Sequence, residues 1–191
     1  MDEDIELVKS FKAEDKTAFD KLVLKYKNKV FNLCYRMLGN YEDANDSAQD
    51  TFVKVFCSLD KFRMESTFST WLYRIAVNTC KNKFVSVEYR YREKTVRIDD
   101  PDESEEGSHK IEIRDESLSP GAELERKEKE ALIQKAIAAL PKEQKAVVVL
   151  RDINGMSYEE VAKVTGYNLG TVKSKLARAR QALREKLRGA V

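Results

Sequence analysis

Two short stretches hold the side chains able to do chemistry. "TFSTWLYRIAVNTCKNK", Thr67 to Lys83, contains the single tryptophan, Trp71, with Tyr73, Arg74, Asn78 and Lys81, in about five helical turns. Phe62 and Arg63 precede it in a predicted loop. Rings of this kind stack on unpaired bases, amides hydrogen-bond base edges, and cations hold phosphate. The same residues also fit a plain reading, with Trp71 and Tyr73 as core packing and the charged ones as a solubilising rim. The second stretch is "GTVKSKLARARQALREKLR". Thr171 to Arg188 carries seven Lys or Arg and one acid, Glu185. Arg and Lys read guanine edges or grip phosphates, and small Ser and Ala let a helix approach the groove closely. Conventional catalysis has no support. One histidine, His109, stands in a polar stretch, and Cys34, Cys57 and Cys80 form no CxxC pair. No glycine-rich phosphate loop is present, so no cofactor and no metal are expected.

Helices must position both stretches. On a helix, Trp71, Leu72, Ile75, Ala76 and Thr79 share one side, and Tyr73, Arg74, Val77, Asn78 and Lys81 lie mostly on the other. Ser66 or Ser69 is the expected cap. Near the C-terminus, Ser157 and Glu160 form a capping box, and Gly166 closes a short helix before the basic one. Two short helices about a glycine turn read as helix-turn-helix. Val172, Leu176, Ala179 and Leu183 make the inward stripe of the second, with Lys173, Ser174, Ala177, Arg178 and Gln181 broadly opposite. Upstream, a short helix covers Ile5 to Phe11. Asp15 is expected to cap a long one bearing Phe19, Leu22, Val23, Tyr26, Val30, Leu33 and Met37 and stopped by Gly39. Asn40, with Asp43 three residues on, caps a third bearing Ala44, Ala48, Phe52, Val55 and Leu59. Pattern resumes near Glu123 and runs to Leu140. Pro141 opens the next helix in its first turn, and "QKAVVVLRDI" carries on to Gly155.

The 191 residues are 36% charged and 42% hydrophobic, enough to be soluble and still fill a core. An all-α chain follows from scarce Gly and Pro, seven and three. Charge is uneven. Residues 1–85 carry 14 basic and 13 acidic side chains, residues 86–125 carry 6 and 13, and residues 126–191 carry 15 and 7. The basic last segment predicts an anionic polymer as partner. The middle segment, with "DDPDESEEGSHK", has the composition of an acidic flexible linker. The expected organisation is a helical domain over 1–85, the linker over 86–125 and a second helical domain over 126–191. The three cysteines, among apolar helical residues, are expected as buried free thiols. No apolar run approaches the length of a membrane span, and the acidic "MDEDIELVKS" lacks a signal segment. A cytoplasmic protein without membrane insertion is expected.

Four segments, in this order, give the chain a family resemblance: "AFDKLVLKYKNKVFNLCYRMLGNYEDANDSAQDTFVKVF", "FSTWLYRIAVNTCKN", "ALPKEQKAVVVLRDINGMSYEEVAKVTG" and "GTVKSKLARARQALREKL". It resembles the extracytoplasmic-function (ECF) sigma factors of bacterial RNA polymerase along nearly its whole length. The resemblance implies a first domain, sigma region 2, that binds the polymerase clamp helices and the minus-ten promoter element. It implies a second, sigma region 4, that reads the minus-thirty-five element and touches the flap. Phe62, Tyr73 and Asn78 match a pocket for a flipped minus-ten base, with Arg63, Trp71, Arg74 and Lys81 around it. Asp46, Gln49 and Asp50 match the core-binding segment. Lys173, Ser174 and Arg178, with Thr171 and Ala177, match the minus-thirty-five contacts. An anti-sigma factor is a further implied partner.

The departures are local. Asn45 stands where an acid is common, Asp50 where Glu is common, Asn168 where many members have proline, and Ala177 where relatives carry a larger side chain. They bear on promoter sequence and leave the activity intact. One rival is a helix-turn-helix regulator acting without core polymerase, which leaves the 67–83 stretch unexplained. The other is a scaffold protein, which predicts no salt-dependent nucleic-acid binding.

Overall fold

A computed structural model describes residues 3–86 and 120–188. Among these residues every regular element is helical. The linker expected over 86–125 lies almost wholly outside them, as does His109.

α1 (Glu3–Lys12) is short, with acids in its first turn and Lys9 and Lys12 in its last, the polarity that suits the helix dipole. α2 (Thr17–Leu38) buries Leu22, Tyr26, Val30, Leu33, Cys34 and Met37 along one stripe. Asp15 does not stand at the cap position, which Lys16 occupies. It acts one residue earlier, its Oδ1 accepting from the Thr17 backbone (3.0 Å) and hydroxyl (2.6 Å). Gly39 ends the helix at φ +79°, and its N–H closes on Tyr35 O (2.8 Å). Glycine takes this left-handed turn without a Cβ penalty. Asn40 then caps α3 (Tyr41–Ser58) by accepting from Asp43 N at 3.0 Å. A two-residue link forces α2 and α3 into a hairpin. The chain passes a 3₁₀ turn (Leu59–Lys61) into α4 (Phe68–Val85). The cap of α4 is Thr67, whose hydroxyl accepts from Thr70 N (3.3 Å), and not Ser66 or Ser69. Phe68, Leu22, Leu33, Met37 and Leu72 are among the largest fully buried side chains of this four-helix domain. Each contributes about 1.5–3 kcal/mol by leaving water.

The second part begins with α5 (Pro120–Ala138), three residues before Glu123. α6 (Lys142–Val148) follows. Pro141 is its cap residue in extended conformation (φ −54°, ψ 141°), so it sits just outside the first turn. The stretch expected to stay helical up to Gly155 is regular only through Val148. It widens into a π turn over Val149–Ile153, in which the Asn154 N–H reaches back five residues to Val149 O (3.0 Å). π turns often mark functional sites, and this one leads straight into Asn154. α7 (Tyr158–Thr165) has the complete Ser157–Glu160 capping box, with bonds of 3.1 and 2.8 Å, and Gly166 (φ +77°) closes it. Asn168 caps α8 (Leu169–Lys186) by accepting from Thr171 N (2.7 Å), so it serves the helix start as proline would.

The two domains pack together. α4 lies on α7, and α5 lies on the C-terminal half of α2. Gln134 on α5 donates to Tyr35 O (3.1 Å) and accepts from Arg36 Nη1 (3.1 Å). One hydrophobic cluster runs through both domains.

Candidate nucleic-acid interface

The loop before α4 turns sharply, with Met64 at φ +58°. A non-glycine residue in that region is uncommon and is held there only by its surroundings. Phe62 opens this loop and is 3% exposed. Its ring lies 4.9 Å from Trp71 and 6.2 Å from Phe68. Trp71 is half-buried over this cluster, so the loop and α4 are fixed to each other by aromatic packing. Arg63, Arg74 and Asn78 are exposed, and Lys81 is half-buried.

Tyr73 and Val77 do not lie on an open face. Tyr73 is 6% exposed and Val77 is fully buried, because α7 covers that side of α4. Burial pushes the Tyr73 hydroxyl above the usual phenol range, and the nearby Asn154 side chain partly opposes that rise. The sequence did carry the signal. Tyr73, Val77, Cys80 and Phe84, all buried, form a second apolar stripe at helical spacing. A helix with two such stripes is packed on both sides. Lys81 meets Tyr167 from the helix-turn-helix, its Nζ 5.6 Å from the ring centroid.

On α8, Val172, Leu176 and Ala179 are buried, with Leu183 partly so. Lys173, Ser174, Ala177, Arg178 and Gln181 are exposed on the far side, and Thr171 is half-buried. Two of the basic residues are turned to structure. Lys175 pairs with Glu143, and Arg180 grips Asp152 with two nitrogens, at 2.5 and 3.0 Å. These pairs fix α8 on the rest of its domain and leave Arg178 facing outward, while the exposed Lys173 has its Nζ 5.9 Å from the centre of the Tyr158 ring. Ser174 donates to Thr171 O (3.0 Å).

Gln49 and Asp50 are exposed on α3, and Asp46 lies 3.6 Å from Lys83 of α4. Lys83 also pairs with the buried Asp43 (3.2 Å). Burial pulls its pKa down, but the two carboxylates outweigh that and raise it. The acidic stripe of α3 and the aromatic helix α4 are therefore tied by one lysine while facing different directions. Of the cysteines, Cys34 and Cys80 are buried free thiols and Cys57 is exposed. Cys57 departs from the expectation because it follows the outward stripe of α3, where Val53 is also exposed. The Cys34 thiol beside it and burial both push Cys80 up. Among the described residues no cluster of possible metal ligands occurs, and no helix is long and apolar enough to cross a membrane.

The fold defines an all-α protein of two helical domains, the second a helix-turn-helix with a basic outward helix. The Sigma-70 region 2 family model matches residues 22–88, and the Sigma-70, region 4 model matches residues 123–183. The chain is 39% identical to the RNA polymerase sigma-H factor of Pseudomonas aeruginosa, over 95% of this chain and 92% of that one. It is 36% identical to the ECF RNA polymerase sigma-E factor of Haemophilus influenzae, over 95% and 93%. Among solved structures it is similar to CnrH in complex with the cytosolic domain of CnrY, with a TM-score of 0.67, 26% identity and 97% of each chain covered. It is also similar to the sigma factor RpoE in complex with the anti-sigma factor NepR from Bartonella quintana, with a TM-score of 0.63, 27% identity, and 90% of this chain and 97% of that one covered. The chain belongs to the ECF sigma factors of RNA polymerase.

Proposed function

We propose that this chain binds core RNA polymerase, directs it to promoters with minus-thirty-five and minus-ten elements, and promotes opening of the DNA. The observation that carries the reading is the pairing of two sigma-type regions in one chain, region 2 before region 4, with a basic outward face on the last helix. Residues 1–85 act as the core-binding and minus-ten domain, 86–119 as a linker and 120–191, from the start of α5, as the minus-thirty-five domain. Asp46, Gln49 and Asp50 meet the clamp helices. Lys173, Ser174, Ala177 and Arg178 enter the major groove, with Thr171 near the backbone. Phe62, Trp71 and Tyr73 shape a pocket for a displaced base, Asn78 reads its edge, and Arg63, Arg74 and Lys81 hold the strand. The protein catalyses no reaction itself; its place of action is the cytoplasm, where it meets polymerase. An anti-sigma factor holds it in reserve, a reading supported by the similar structure of RpoE with NepR. A regulator acting without polymerase would need no region 2.

Reconstitution with core polymerase and run-off transcription from a promoter library tests this. The expected result is specific initiation that the chain confers on core. Core that initiates no better with the chain than without it would overturn the reading. Asp50→Arg should weaken binding to core with helicity unchanged, and an unchanged titration would remove Asp50 from the interface.

A further inference from the structure

We propose that Lys12, in the last turn of α1, is a positioning residue for base capture: it holds the Phe62 carbonyl and so sets the course of the loop that leads through Arg63 into α4. The proposal rests on the reading given above, in which this loop and α4 take up a displaced minus-ten base.

Lys12 Nζ donates to Phe62 O at 2.8 Å, from a position fifty residues earlier in the chain. Among the described residues this carbonyl has no backbone donor. It shares a rigid peptide plane with the Arg63 N–H, so fixing the oxygen fixes the direction in which Arg63 leaves Phe62. The chain then passes through Met64 at φ +58°. The Phe62 ring is held separately, 4.9 Å from Trp71 and 6.2 Å from Phe68. Packing of the ring alone leaves ψ of Phe62 free to turn, and that turn would swing Arg63 away from the pocket. Phe62 is therefore pinned twice, its ring by α4 and its carbonyl by α1.

A lysine can steer a loop only if its own backbone is fixed. α1 ends in a closed turn directly after Lys12. Glu14 N–H bonds to Phe11 O (3.0 Å) and Asp15 N–H to Ser10 O (3.1 Å), the paired bonds of a Schellman turn, with Glu14 at φ +69°. Phe11 packs against Phe19 of α2, ring centres 5.8 Å apart, and against Phe56 of α3, 5.5 Å apart. At the other end of α1, Tyr26 of α2 donates to the buried Asp4. Glu14 and Met64 are the two non-glycine residues with positive φ among the described residues. Each stands two places after one end of the Lys12–Phe62 bond. Such strained residues cluster where a segment's path serves function. Lys12 also suits the negative end of the helix dipole, but Lys9 in the same turn does so without reaching Phe62.

The experiment compares Lys12→Met, which keeps length and removes the donor, with Lys12→Arg, which keeps donor and charge. Both are made in the full-length chain and assembled with core polymerase. Templates carry each of the four bases at each minus-ten position, and run-off yield gives the preference for the captured base. In Lys12→Met that preference should shrink about three- to tenfold, the effect of losing one hydrogen bond. Affinity for core, affinity for an upstream duplex fragment and melting temperature should stay at wild type, because the Lys12 side chain is exposed and its loss removes little packing. Lys12→Arg should restore most of the preference. A Lys12→Met preference equal to that of wild type would overturn the proposal. So would a lowered melting temperature with the preference kept, which is a purely structural role. A salt slope lowered by about one phosphate contact with the preference kept would also overturn it, because Lys12 would then hold the strand directly. Absence of run-off from wild type with core would instead defeat the sigma reading.

Discussion

Arg178 and Arg180 are two residues apart on one helix, yet they meet different fates. Arg180 grips Asp152 with two nitrogens and holds α8 on its domain, while Arg178 faces out. Arg178→Ala should cost about 1–3 kcal/mol in binding the upstream element if it makes a two-pronged base contact. Fluorescence titration of a duplex fragment measures this, and equal affinity would remove Arg178 from readout. Arg180→Ala should instead lower stability. Tyr73→Ala and Asn78→Ala should impair promoter opening more than core binding. Closed duplex exposes no base face, and stacking is worth on the order of 1–3 kcal/mol once a base is out. A pre-melted template should restore run-off in part. Permanganate footprints like those of wild type would make both residues ordinary. The cysteines offer a simpler check. Iodoacetamide on the native chain should modify Cys57 alone, and Cys34 and Cys80 only after unfolding, because both are buried and the Cys80 thiol is pushed up. Equal labelling of all three would contradict the packing of α2 on α4.

At the scale of the element, caps decide where helices start and stop. Ser157 and Glu160 satisfy two backbone donors at the start of α7, and Gly166 at φ +77° ends it. Ser157→Ala should destabilise the second domain by about 1 kcal/mol. Gly166→Ala should cost about 1–3 kcal/mol by forcing a side chain into the left-handed region. Thermal unfolding of both variants measures this, and melting at the wild-type temperature would remove these residues from the fold's framework. The caps at Asn40 and Ser157 were legible because a side-chain oxygen three residues before a free N–H is a local arrangement. The Thr67 cap was not, since Ser66, Thr67 and Ser69 are chemically alike and only the loop through Met64 selects among them. The π turn at Val149–Ile153 was invisible for a related reason. "QKAVVVLRDI" reads as continuous helix, and the widening depends on what Leu150 and Met156 must pack against.

For the whole molecule, charge bears on DNA binding. The middle segment carries an excess of seven acids and the last an excess of eight bases. The acidic middle segment opposes phosphate, so the free chain should bind promoter duplex weakly, and the polymerase complex should bind it strongly. Both affinities should fall steeply with salt, and Lys173→Ala should lower the salt slope by about one phosphate contact. Free chain that binds promoters as specifically as the complex would contradict this.

The sequence by itself determined the helices, most of their caps, the helix-turn-helix, the outward face of α8 and the family. Each of these is encoded within one or two helical turns or in a motif of fixed spacing. What α4's second side does was decided only in three dimensions. Tyr73, Val77, Cys80 and Phe84 have a local pattern compatible with a rim or with a second buried face. The docking of α7 makes it the latter, through Asn154 and Tyr167, which lie some eighty residues away along the chain. Periodicity reports which residues share a side of a helix, and only the packing of distant elements settles what that side meets.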